Sequence, residues 1–261
     1  MNIEISATEI ASLKEAKEKL EHPSVLIELS NIVGKPIEKM YSLIPDKFQE
    51  SIGKVTKNVL LKSLNMLVSN TSKSFHSRPN NMLHKILVTS TGAAGGFFGL
   101  SALALELPVT TAIMLRSIMD IARSKGFNID DTDTKLACLE VFALGGNSKS
   151  DDYSESAYYL IRGVLAKEVA DASKYIFKKG IINESAPAIV SYISKIAARF
   201  GVIVSKEVAA KSIPVIGSVS GGAINLIFMN HFQKMAEGHF TVKYLENKYG
   251  KDKIMEIYKK L

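Results

Sequence analysis

Apolar residues recur at three- and four-residue spacing through most of the chain, as they do in helices with one buried face. Residues 7–21 predict a short polar helix, with Thr8 or Ser12 as its cap and Glu15, Lys17, Glu18 and Lys19 facing solvent. His22–Pro23 interrupts the pattern, because the residue before a proline avoids the helical region. Residues 25–41 form a second helix, with Leu26, Ile27, Leu29, Ile32 and Val33 on its core side and Gly34–Lys35–Pro36 as the place for a kink. Pro45 opens a third helix to about residue 68, since proline suits a first turn whose N–H has no partner. Phe48, Ile52, Val55, Val59, Leu60 and Leu64 mark its buried face.

Residues 69–81 are rich in Ser and Asn and read as a loop. Residues 132–144 are helical, and Gly145–Gly146 ends them with a left-handed cap. A second loop covers residues 147–154, from which Asp152 or Ser154 caps a long helix to about residue 179; Gly180 stops it. Ser185–Ala186–Pro187 begins another, to residue 211. Pro214 starts the next, which reaches about residue 237 and is broken by Gly238; two short helices separated at Gly250 finish the chain. Few segments alternate as strands do, and no repeat is visible. The expected fold is all-α: a single large multi-helix bundle over residues 1–261, with polar helices in residues 1–44 and core helices in residues 82–145 and 186–247.

Two runs lack any charge: residues 86–105 and residues 212–230. Each is long enough to cross a bilayer, which takes about 20 apolar residues. Glycines and hydroxyl residues dilute both. Gly92 and Gly96, Gly95 and Gly99, and Gly217 and Gly221 are spaced four apart, which lets another helix approach closely. The expectation is that the two helices form the centre of the bundle; a hairpin resting against a membrane is the alternative.

The candidate chemistry lies around these runs. Glu106 is an isolated acid between Leu105 and Leu107. If Pro108 opens a helix, the carboxylate caps that helix N-terminus and meets its dipole; catalysis is the alternative role. Arg116, Asp120 and Arg123 share one helical face, as an ion-pair ladder or as a pair of arginines that hold an anion such as phosphate. Glu140, inside an apolar string, is a further acid that would pair with that face. His231 and His239 on one helix stand about 12 Å apart, too far to share a metal unless Gly238 folds the second back. The string lacks the H-E-x-x-H spacing, and no metal site is expected. Asn225 is an amide in apolar surroundings, suited to an interhelical hydrogen bond or to a ligand. There is no phosphate-binding loop, dinucleotide fingerprint or nucleophile elbow.

Charge and composition narrow the partners. The formal net charge is +7, spread over the chain, with no stacking or zinc-finger motif, so nucleic acid is not expected. The basic C-terminal end, residues 243–260, is interleaved with acids and reads as a solvated face or as an attraction to anionic lipid. One cysteine, Cys138, excludes a disulfide framework and favours a reducing compartment. The N-terminus has neither the apolar core of a secretory signal nor a transit-peptide composition.

The strings GAAGGFFG, ALELPVTTAIMLRSIMDIAR, CLEVFALGG, IPVIGSVSGGAINLIFMNHFQKMAEGHF and YLENKYG, in that order, resemble the EcsC protein family from about residue 34 to the C-terminus. The family's namesake is encoded beside the subunits of an ABC transporter in Gram-positive bacteria. The resemblance implies a bacterial protein on the cytoplasmic side, and it brings no catalytic set or cofactor. Positions that match the strings are Glu106, Pro108, Thr110, Thr111, Arg116, Cys138, Glu140, Asn225, His239 and Glu246. The leading expectation is a non-enzymatic helical protein, peripheral to the cytoplasmic membrane or attached to a membrane-protein partner. One alternative is a hydrolase, with or without a metal ion, using Glu106, Asp120 and Glu140 with His231 or His239. The other is a carrier of lipid or a small apolar ligand, with Arg116, Arg123 and Asn225 as binding candidates.

Overall fold

The computed structural model describes residues 4–22, 25–33, 42, 44–69, 99–145, 156–180, 182–211 and 217–261. Among them are nine α-helices, one 3-10 turn and no strand: an all-α bundle. In chain order the helices are α1 (Ala7–Glu21), α2 (Val25–Val33), α3 (Asp46–Ser69), α4 (Gly99–Ser124), α5 (Thr132–Glu140), α6 (Ala157–Lys179), α7 (Pro187–Lys211), α8 (Gly217–Tyr249) and α9 (Lys251–Lys260). The 3-10 turn, Val141–Ala143, continues α5.

Local chemistry sets the helix ends. Ser6 caps α1, in place of Thr8 or Ser12: its hydroxyl accepts from the Glu9 N–H, and the Glu9 carboxylate accepts from the Ser6 N–H, a reciprocal capping box. Ser156 caps α6, in place of Asp152 or Ser154, and Gly180 ends that helix in the left-handed conformation at φ 68°. The Glu21 carboxylate, at the end of α1, accepts from the Ala157 N–H at 3.0 Å and so meets the positive end of α6.

Two expected breaks are absent. Helix α4 runs through Pro108. The ring removes one backbone hydrogen bond, yet the buried side chains of Leu107, Met114, Leu115 and Ile118 hold the helix on both sides of it. Helix α8 runs through Gly238 to Tyr249. That glycine is a contact residue, because α1 lies directly on it. A Cβ there would stand 2.7 Å from Leu20 Cγ and 3.1 Å from the Ala16 carbonyl oxygen.

Helix α8 is the axis of the fold, and α1, α2, α4, α7 and α9 all pack on it. Helix α4 runs parallel to it, joined by Glu106–Asn225, Ser117–Gln233 and Phe127–Phe240 contacts. Helix α1 runs antiparallel, tied by Lys19–Glu237 and Glu9–Lys248 ion pairs. Helices α6 and α7 form an antiparallel hairpin, and α3 crosses α7 where Gly201 faces Gly53. The buried side chains form one contiguous cluster. Phe142, Phe200 and Phe232 meet at its centre, with ring centroids 4.8–5.6 Å apart, a favourable range for tilted and edge-on rings.

The expected position of two glycine-rich helices at the centre rests largely on residues 86–98 and 212–216, which lie outside the described residues, as do the kink at 34–36, the start at Pro214 and most of both loops. One described helix, α7, is long and apolar enough to cross a membrane, and half of that apolar window is buried in the protein.

Candidate functional site

Among the described residues, two groups of side chains form buried polar centres. The first joins α4, α7 and α8. Lys211, the last residue of α7, donates from Nζ to Glu106 Oε1 and to Glu207 Oε1, each at 2.7 Å. Asn225 of α8 donates from Nδ2 to the same Glu106 oxygen at 2.8 Å. Burial pushes the Glu207 carboxyl above its ordinary range, against the pull of Lys211. Burial also works against the Lys211 charge, but Glu207 and Glu106 outweigh it and hold its pKa above the usual value. One cation between two carboxylates, with an amide on the same Glu106 oxygen, ties three helices together.

Glu106 therefore does not cap a helix. It lies inside α4, because the helix continues through Pro108, and it reaches sideways to α7 and α8. The sequence signal for its partner was legible in kind: Glu207 and Lys211 stand four residues apart at the end of an apolar helix, and such a pair forms one charged corner.

The second centre joins α5, α6 and α8. Tyr158 and Arg162 of α6 are one turn apart. Arg162 donates to Tyr158 Oη at 3.3 Å and makes two parallel bonds to Glu246, at 2.7 and 2.9 Å. The Tyr159 hydroxyl donates to Glu246 Oε1 at 2.9 Å. Tyr158 Oη lies 3.1 Å from His239 Nδ1. The two groups share one hydrogen bond whose direction follows the imidazole tautomer. His239 Nε2 lies 3.7 Å from Glu140 Oε2, beyond hydrogen-bond reach. Burial lowers the His239 pKa well below its ordinary value and raises those of Glu140 and Tyr158. A neutral imidazole thus sits in line between a carboxyl group and a phenol, sealed from solvent.

The remaining candidates stand elsewhere. Asp120 is buried on α4 and accepts from Arg123 at 3.2 Å, within the local ladder; Arg116 is half-buried on the same helix. Glu140 faces α8 rather than the Arg116–Asp120–Arg123 face, because its place at the end of α5 turns it toward His239. His231 packs its ring against Gly145 and bonds the Leu144 backbone; burial lowers its pKa to about 4. The unbroken α8 keeps His231 and His239 about 12 Å apart. Glu106 and Asp120 are separated by about 21 Å along α4. Of the five proposed acid–base residues, Glu140 and His239 come together, at 3.7 Å. Among the described residues no cluster of His, Cys, Asp and Glu is placed to hold a metal ion. Cys138 is fully buried, and burial raises its thiol pKa, so it acts as a small apolar residue.

Sequence reasoning missed Lys211, Glu207, Tyr158, Tyr159, Arg162 and Glu21. Each sits at a helix end or in a polar-looking segment, where an exposed position is the ordinary expectation.

Comparison with curated proteins and with solved structures finds no match in either. The family model of the EcsC protein family matches residues 7–245. The match begins earlier than residue 34 and so takes in α1 and α2, the helices that lie on α8. Covering nearly the whole bundle, it shows that the chain belongs to the EcsC protein family.

Proposed function

We propose that this protein is a non-enzymatic helical protein that docks peripherally on the cytoplasmic face of a membrane. One observation carries this reading. The Glu106–Lys211 ion pair joins the end of one uncharged segment to the start of the other, since residues 86–105 precede Glu106 and residues 212–230 follow Lys211. Leu105 and Val109, one turn apart on α4 beside this pair, are 77% and 47% exposed. The net charge of +7 suits an anionic surface.

The test is cosedimentation of the full chain with vesicles of phosphatidylglycerol and phosphatidylcholine in equal parts, together with fractionation of the untagged protein. Pelleting at low ionic strength that fades as salt rises supports the reading. A chain that stays in the supernatant at low salt overturns it. Recovery with native membranes but not with lipid vesicles would assign the docking to a membrane protein instead.

A further inference from the structure

The outward face of the α6–α7 hairpin has a composition unlike that of an ordinary solvated surface. On α6, Leu160, Val164 and Phe177 are 45%, 55% and 89% exposed, and Gly163, Ala166 and Ala170 are exposed among them. The charges that share this face are Lys167, Lys174 and Lys178, with Asp171 the one exposed acid in the two helices. The exposed stripe of α7 is Pro187, Ser191, Lys195 and Ala198, and it holds no acid. Of the two other acids on these helices, Glu168 is buried and paired with Lys195, and Glu207 belongs to the Lys211 node.

Soluble helices normally carry both signs on their outer face. A face of lysines around exposed Leu, Val and Phe instead offers apolar contact and cationic attraction together, the two components of binding at an anionic membrane interface. The lysine stems cover apolar surface while their ammonium groups reach the headgroup phosphates. Between the helices runs an open groove of about 440 Å³, bordered by Lys167, Lys174 and Lys178, by the acids Glu168 and Asp171, and by the first turn of α7; Glu168 is already paired with Lys195, so the lysines are in excess. That volume is in the range of small-molecule sites, enough for a lipid headgroup. Phe177 stands three residues before the Gly180 stop, so it projects from a corner of the hairpin. Helix α7 connects this face with the Glu106 node, because its last residue is Lys211.

We infer that the outer face of the α6–α7 hairpin is the surface that meets anionic phospholipid, with Phe177 inserted among the headgroups and Lys167, Lys174 and Lys178 against their phosphates. This inference rests on the membrane reading above and adds to it the contact face and the lipid class.

The chain contains no tryptophan, which makes a direct test available. Phe177→Trp places a single indole at the proposed point of insertion, on an exposed site where folding is undisturbed. Vesicles of phosphatidylglycerol and phosphatidylcholine in equal parts are expected to shift its emission to the blue. In the same assay the triple variant Lys167→Gln, Lys174→Gln and Lys178→Gln is expected to bind roughly 100-fold more weakly, the combined effect of three basic residues at such a surface. A control that removes three exposed lysines elsewhere, Lys14→Gln, Lys251→Gln and Lys259→Gln, is expected to lose far less. Equal losses in the two triple variants, or pelleting with no change in the Trp emission, would overturn the face while leaving membrane docking intact. Absence of the unmodified chain from every vesicle would remove the membrane reading itself, and this inference with it.

Discussion

The ammonium group of Lys211 lies 2.7 Å from Glu106 and 2.7 Å from Glu207, so one cation holds two carboxylates from different helices. All three side chains are at most 13% exposed. Removing the cation leaves two acids facing each other with little solvent. Lys211→Met is expected to cost about 3–5 kcal/mol of stability, the usual effect of stripping the partner from a buried pair. Glu106→Gln leaves Lys211 with Glu207 and keeps an acceptor for Asn225, so it is expected to cost much less. Urea unfolding midpoints compare the two; equal losses would show that the node is not held by charge.

Gly238 gives a prediction whose sign separates two explanations. If the residue were only a weak helix former, Gly238→Ala would stabilise α8 by about 1 kcal/mol. The structure places α1 so close that the new Cβ would meet Leu20 Cγ at 2.7 Å and the Ala16 carbonyl oxygen at 3.1 Å. Destabilisation by about 1–3 kcal/mol is therefore expected from overpacking. The double variant with Leu20→Ala removes the nearer contact but not the backbone one, and should remain below the Leu20→Ala parent. Thermal melts of the four proteins complete the cycle.

These two sites also show what the sequence could and could not tell. The periodicity of α3, α6 and α7 placed those helices, because their apolar residues face a single core. It failed at Pro108 and Gly238, where residue type suggests a break and tertiary contact decides otherwise. A glycine that ends a helix and a glycine on which another helix rests look the same in one sequence. The same limit hid the polar centres. Asn225 and Glu106 were visible as polar groups in apolar strings, but their partner Lys211 sits beside Ser212 at a helix end, where a lysine usually faces water. Glu140 and His239 were each singled out, yet nothing along the chain showed that α5 and α8 bring them together or that Tyr158 joins them. Residues 132–140 gave the opposite difficulty: nearly every side chain of α5 is buried, so no single face could be read.

Tyr158 is the residue through which the second centre is connected. Its hydroxyl accepts from Arg162 and shares a hydrogen bond with His239 Nδ1, and it is 1% exposed. Tyr158→Phe keeps the ring and its contacts with Tyr159 and Tyr258 while leaving the imidazole nitrogen without a partner. A loss of about 1–3 kcal/mol is expected, the cost of an unsatisfied buried polar group. His239→Leu removes the orphaned group as well, so the pair Tyr158→Phe and His239→Leu should lose less than the sum of the singles. Strict additivity in denaturant titrations would mean that the two side chains do not communicate.

His231 makes stability depend on pH in a defined direction. Burial lowers its pKa from about 6.5 to about 4, with the bond to the Leu144 backbone opposing that shift. Between those values the unfolded chain binds a proton that the folded chain does not. Stability therefore rises with pH across the window and is lost as pH falls from about 6.5 toward about 4. Full development of that difference is worth on the order of 3 kcal/mol. His239, also lowered by burial, adds to the same slope, whereas the raised pKa of Glu140 acts against it at pH values above the ordinary carboxylate range. His231→Asn keeps a donor for the Leu144 carbonyl but does not titrate. Unfolding free energies measured from pH 7 down to pH 4 should converge for the variant and the unmodified chain as the acid end is approached, since only the unmodified chain carries this penalty. Parallel curves would mean that His231 titrates normally and is not enclosed by Gly145 and Phe232 as described.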